Sequence, residues 1–251
     1  MDFSIFKNKY IIEGNLVVLN GLHIGAGMEK NDSDSPFVEY GDGEYYIPGS
    51  SFRGYMSTKM ERLLDKRNSF QFTDKNSGEG LNMGDVKLIF GYTNLSQEKD
   101  KEVIARVREK LGESADSLAG RIHIGDMPIL EATDTFTRDG IKIDRETGTT
   151  VKGGKFDYDI IPAGTKFKMS IEIENIEPYQ LDLVFLALKD IWDGDLFGGM
   201  LSRGIGKCKL EDVKIKSIGG SNLKDYFFKG EGSIQFKDLK EFPEIKNIDI
   251  K

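Results

Sequence analysis

Two carboxylates stand two residues apart in Asn31-Asp32-Ser33-Asp34-Ser35-Pro36, a polar stretch that follows a cluster of glycines. Two roles suit such a pair. One is a solvated turn, since Asp and Ser favour turns and Pro36 stiffens one. The other is a divalent-cation or proton-transfer position, because Mg²⁺ takes one or two carboxylates and fills its shell with phosphate oxygens and water. Pro36 restricts Ser35 and so limits how far the Asp34 backbone wanders. A ligand must hold position, which favours Asp34 over Asp32. His23 and His123 are isolated in sequence, and a lone histidine is by default a structural hydrogen-bonder. With two histidines and one cysteine, the usual Cys/His zinc sites are excluded.

A second set of residues has phosphate chemistry. Residues 198–206 place four glycines around Ser202 and Arg203. Exposed backbone N–H groups beside a guanidinium are what a phosphate chain needs. The spacing of Gly199 to Gly204 is that of a nucleotide loop, but Ile205 stands where the lysine belongs, so ATP binding is not expected. Gly25-Ala26-Gly27 lacks a third glycine and no helix follows, which removes a dinucleotide-binding reading.

The elements that must position these residues are legible as periodicities. Tyr10 to Leu19 reads as a strand ending at the turn Asn20-Gly21. Phe52, Tyr55, Met56, Met60, Leu63 and Leu64 share one helical face, with Ser50 or Ser51 as its cap. Residues 67–94 read as a loop or insertion, Val103 to Leu111 as a short helix stopping at Gly112, and Arg121 to Leu130 as a strand. From Thr165 to Asn175, Phe167, Met169, Ile171 and Ile173 alternate with polar residues, so one face is buried. Leu181 to Trp192 is a helix closed near Gly194, and a last strand runs from about Lys207 to Lys216. The order is that of an α+β, ferredoxin-like domain with inserts. The tail after 219 has little periodicity and reads as a loosely packed extension.

Composition sets the outer limits. The 251 residues are 31% charged and 38% hydrophobic, the balance of a folded chain. The longest apolar run, Leu183 to Leu188, is far below the ~20 residues needed to cross a bilayer. No secretory start is visible, and the single Cys208 fits a reducing cytoplasm. Thirty-five cations against 42 anions leave a net charge of −7, which argues against free, non-specific nucleic-acid binding. Residues 138–168 nonetheless hold seven cations and five anions, so a local basic groove remains open.

Five motifs in order carry a resemblance to the RAMP superfamily of CRISPR-associated proteins. Gly21-Leu22-His23-Ile24-Gly25 resembles its opening loop, Ile47 to Gly54 its entry to the first helix, and Gly198 to Gly206 its C-terminal glycine-rich loop. Asp34-Ser35-Pro36 and Lys142 to Gly148, followed by Gly153-Gly154 and Ile161 to Phe167, resemble the repeated backbone subunit of type III effector complexes, Csm- or Cmr-like. The resemblance implies a ferredoxin-like (modified RRM) core over residues 1–218, inserts at about 67–116 and 136–164, and an extension at 219–251. The second insert corresponds to the family's thumb, a hairpin between guide and target.

The resemblance further implies several copies stacked in a filament on one guide RNA, with other effector subunits, in the cytoplasm and without a membrane. His23, Ser50, Ser51, Arg53, Lys142, Arg145, Ser202 and Arg203 correspond to guide-RNA contacts. Asp34 corresponds to the residue that cleaves target RNA, with Mg²⁺ or another divalent cation and the ribose 2′-OH as nucleophile. It would hold the metal at the scissile phosphate or orient the 2′-OH. The alternative is a catalytically silent architectural subunit, in which Asp34 is an idle loop residue. A guide-processing ribonuclease of the same superfamily is disfavoured, since such enzymes rely on histidine and neither histidine here has a plausible partner nearby in sequence.

Overall fold

The computed structural model describes residues 5–27, 33–41, 43–229 and 233–251. Strands and helices run β1 (Asn8–Val18), β2 (Tyr46–Ile47), α1 (Gly49–Leu63), β3 (Phe72–Asp74), α2 (Met83–Phe90), α3 (Lys101–Leu111), β4 (Ile122–Ile124) and β5 (Met127–Pro128). They continue as β6 (Phe136–Ile143), β7 (Thr150–Ile160), β8 (Lys166–Glu174), α4 (Pro178–Asp193), β9 (Asp195–Leu196), β10 (Lys207–Gly219), α5 (Leu223–Lys229), β11 (Lys237–Asp238) and β12 (Ile248–Ile250). The class is α+β.

The main sheet has the order β11-β10-β1-β8-β4, each pair antiparallel. Alternation in β8 works as its sequence predicts: Phe167, Met169, Ile171 and Ile173 are fully buried, while Lys166 and Lys168 are exposed. Phe52, Met56 and Met60 of α1 and Leu183, Val184, Ala187, Leu188 and Ile191 of α4 bury their stripes in the same core. Each of these side chains except that of Ala187 contributes roughly 1.5–3 kcal/mol by leaving water.

Helix α1 starts differently from the expectation. Neither Ser50 nor Ser51 caps it. Instead the Gly49 N–H donates to Asp126 Oδ1 at 2.8 Å, so the turn between β4 and β5 supplies the cap. Gly49 allows that approach, since a Cβ there would lie 2.2 Å from the Ile124 carbonyl oxygen. That turn also divides the single strand expected over Arg121–Leu130 into two. Strand β4 joins the main sheet and β5 pairs with β2.

Two regions expected to be loose are packed. Within the stretch read as a loop, α2 forms behind a capping box: Asn82 accepts from the Gly84 N–H, and Asp85 accepts from the Asn82 N–H. Its Val86, Leu88, Ile89 and Phe90 are buried, and Leu88 meets Val107 of the expected helix α3. The tail likewise folds back. Strand β12 pairs with β3 of the insert, Phe242 packs against Phe185 and Trp192, and Asp182 Oδ2 accepts the N–H groups of Lys246 and Asn247 at 2.9 and 2.6 Å. By contrast, among the described residues β6 and β7 pair with no other strand than each other, forming a largely exposed hairpin where the thumb was expected.

Candidate functional site

Asp34 sits at the base of that hairpin. Its loop is closed by a short ladder, with the Ala26 N–H donating to the Pro36 carbonyl and the Val38 N–H to the Ile24 carbonyl. The loop then runs along β7. Asp34 N–H donates to Asp157 Oδ1 at 2.6 Å, and Asp157 N–H donates to Asp34 Oδ2 at 3.1 Å. Next to this exchange, the Asp159 N–H donates to the Ser35 carbonyl at 3.0 Å. Asp34 is exposed, and no cation partners its carboxylate among the described residues. Asp32 lies outside the described residues.

His23 props this corner from below. It is 3% exposed, with Nδ1 2.7 Å from the Asp159 carbonyl oxygen and Nε2 3.3 Å from Ser35 Oγ. Its ring meets Tyr158 edge-on at 5.5 Å. An imidazole so buried and engaged orders the loop and does not face a phosphate in solvent. The glycine-rich loop closes over it: the Gly199 N–H donates to the His23 carbonyl at 2.8 Å. Gly198 has φ +95°, and a Cβ there would lie 2.7 Å from that carbonyl oxygen, so this contact requires glycine. Arg203 then reaches over Phe156 and Tyr158, 5.1 and 5.9 Å from the ring centres.

The other proposed contacts are divided. Ser51 lines a cleft of about 620 Å³ together with Gly25, Gly198 and Gly199, so three separate motifs share one wall. Ser50, Ser202 and Arg203 are exposed. Arg53 instead turns toward α2, where its guanidinium donates to the Phe90 carbonyl and lies over the Phe90 ring. Lys142 and Arg145 are exposed near the hairpin tip, away from Asp34 along β7.

Sequence reasoning missed Asp157 and the α1 face of the cleft. Asp157 and Asp159 alternate with Phe156, Tyr158 and Ile160, a pattern that marks two polar positions on one face of a strand. In the cleft, Tyr55 donates to Asp195 Oδ2 at 2.7 Å, and Lys59 bridges Asp190 and Asp195 at 2.7 and 2.6 Å. Burial works against the Lys59 charge, but these two carboxylates outweigh it and hold its pKa above the usual value. Arg62, exposed on the rim, makes no ion pair among the described residues and turns its guanidinium to solvent.

The profile of the RAMP superfamily matches residues 15–209. The chain belongs to the RAMP superfamily. Among curated RAMP relatives, it is 28% identical to the CRISPR system Cms endoribonuclease Csm3 of Methanocaldococcus jannaschii, over 99% of this chain and 93% of that protein. It is 26% identical to the protein of the same name from Methanothermobacter thermautotrophicus, over 84% of this chain and 87% of that one. The RAMP match takes in the Asp34 loop, α1, the hairpin and the glycine-rich loop, and ends within β10. Among the described residues, no helix is long and apolar enough to cross a membrane.

Proposed function

We propose that this chain is a backbone subunit of a type III CRISPR RNA-guided complex, which binds guide RNA and cleaves complementary target RNA at regular intervals. The observation that carries this reading is the exposed Asp34 carboxylate, fastened to the base of an exposed hairpin by its exchange of hydrogen bonds with Asp157. The similarity of nearly the whole chain to one protein named as an endoribonuclease, and of 84% of it to a second, supports it. The core is then ferredoxin-like: β1-α1-β4 and β8-α4-β10 are two split units interleaved as β10-β1-β8-β4. The partners are guide RNA, target RNA, further copies of the chain and other effector subunits.

Among the described residues, no group of three or more His, Cys, Asp and Glu side chains forms a metal cage. The donor set at Asp34 nevertheless fits a hard cation bound mainly by phosphate and water, because Asp157 N–H occupies only Oδ2. Asp34 would hold Mg²⁺ or another divalent cation, which when bound offsets negative charge on the scissile phosphate. The hairpin would keep the target nucleotide out of the stack, leaving its 2′-oxygen free to attack the adjacent phosphorus. The 2′-hydroxyl would give up its proton to solvent as the 2′-O–P bond forms, and the P–O5′ bond would break with the 5′-oxygen taking up a proton, leaving a 2′,3′-cyclic phosphate and a 5′-hydroxyl with no net change in protons. Guide phosphates would meet Ser51 and Arg203 without base readout, and pairing with the guide would supply specificity.

The test is cleavage of matched target RNA by the complex reconstituted with guide. Regularly spaced cuts that require a divalent cation are expected. Tight target binding with no cuts at any cation concentration would favour the architectural alternative.

A further inference from the structure

Asp34 hangs on β7 by a specific pair of bonds, and one partner in that pair has no other evident role. The Asp157 carboxylate spends Oδ1 on the Asp34 N–H, and its own N–H fixes Asp34 Oδ2. Asp157 therefore constrains the backbone and the carboxylate of the same residue. Two carboxylates side by side repel, so a carboxylate placed here only for stability would be a poor choice. The cost is tolerable because each accepts an N–H from the other's backbone. The loop has two further ties to the same strand, Asp159 N–H to the Ser35 carbonyl and the His23 ring between the Asp159 carbonyl and Ser35 Oγ. On the other side, Thr137 Oγ1 donates to Asp159 Oδ1 at 3.0 Å, linking β6 to the side chain of the same residue.

We propose that Asp157 is a positioning residue for target cleavage: through its acceptor oxygen it locks the Asp34 loop onto the thumb-like hairpin, so that hairpin and cleaving carboxylate move as one body. This rests on the reading of Asp34 given above. The hairpin that arranges the target strand thereby also aims the carboxylate, and register between them does not depend on a free loop. Misplacing a reactive group by about 1 Å can cost on the order of 10²-fold in rate.

Asp157→Asn keeps the acceptor and removes the charge, whereas Asp157→Ala removes both. In the reconstituted complex, Asp157→Ala is expected to lower the single-turnover cleavage rate about 10- to 100-fold with target affinity unchanged. Asp157→Asn should restore the rate to within a few-fold of the unmodified complex. A readout independent of activity is hydrogen exchange of the Asp34 amide, which should speed up in the alanine variant and stay slow in the asparagine variant. Should the alanine variant fail to assemble, Asp157→Ser, whose hydroxyl is too short to reach, takes its place. Loss of cleavage in Asp157→Asn equal to that in Asp157→Ala would overturn the proposal, because the charge rather than the acceptor would then matter. Unchanged cleavage and exchange in the alanine variant would overturn it as well. Asp34→Asn is run alongside: if it cleaves normally, the reading of Asp34 fails, whereas a silent Asp34→Asn with a fully active Asp157→Ala defeats only the positioning role.

Discussion

The carboxylates at the insert and those at the base of the hairpin are built into the structure on opposite plans. At the insert, Asp85 is fully buried and meets Arg106 Nε at 3.0 Å and the Tyr179 hydroxyl at 3.0 Å, while Arg106 also reaches Glu79 at 2.7 Å. Burial pushes Asp85 upward against the pull of Arg106. At the hairpin, Asp34 is exposed and held by backbone N–H groups, with a second carboxylate rather than a cation as its neighbour. In the first centre the charge is cancelled inside the protein and spent on joining α2, α3 and α4. In the second it is held in place but left uncancelled, which is the condition for acting on something from outside.

Cutting the two centres should therefore fail in different ways. Arg106→Ala strands Asp85 in the core, and breaking a buried pair costs about 3–5 kcal/mol. Thermal unfolding should show that loss, while complex that still folds cleaves target at the normal rate. Reduced cleavage per folded complex would mean that the centres are coupled. A smaller effect is expected from acid. Hydrogen bonds from Arg106 and then Lys110 hold Glu79 down to about 2. A depressed carboxylate stabilises above its unfolded value, near 4.3, and that contribution fades as pH falls from there toward 2. Amide exchange in α3 should accelerate across this window before exchange in β1 does. Equal acceleration in both would show that Glu79 does not fasten the insert separately.

What was legible in the sequence follows the same division between local and distant causes. Strand β8 and helices α1 and α4 announce themselves because burial repeats with the period of the element. Gly112 and Gly194 end α3 and α4 where the sequence places the stops. Helix α2 escapes notice because it is eight residues long and surrounded by polar turns, and its stability comes from Asn82 and from packing. The tail escapes because its anchors Leu239, Phe242, Ile245 and Ile248 fall every third residue, matching neither a strand nor an α-helix. At the candidate site, Asp34, His23 and the glycine-rich loop stand out by residue type. Their assembly does not, since Asp157 lies 123 residues from Asp34 and Asp126 lies 77 from the Gly49 it caps.

The central claim is that Asp34 acts on target RNA while the rest of the corner only holds it. Single-turnover cleavage by a reconstituted complex carrying Asp34→Asn, with guide and target affinities measured on the same preparation, tests it most directly. Asparagine keeps the size and the acceptor for the Asp157 N–H but removes the charge. Cleavage should fall by at least ~10²-fold, with both affinities unchanged. Cation-dependent cleavage at the normal rate, or loss of guide binding together with cleavage, would contradict the account.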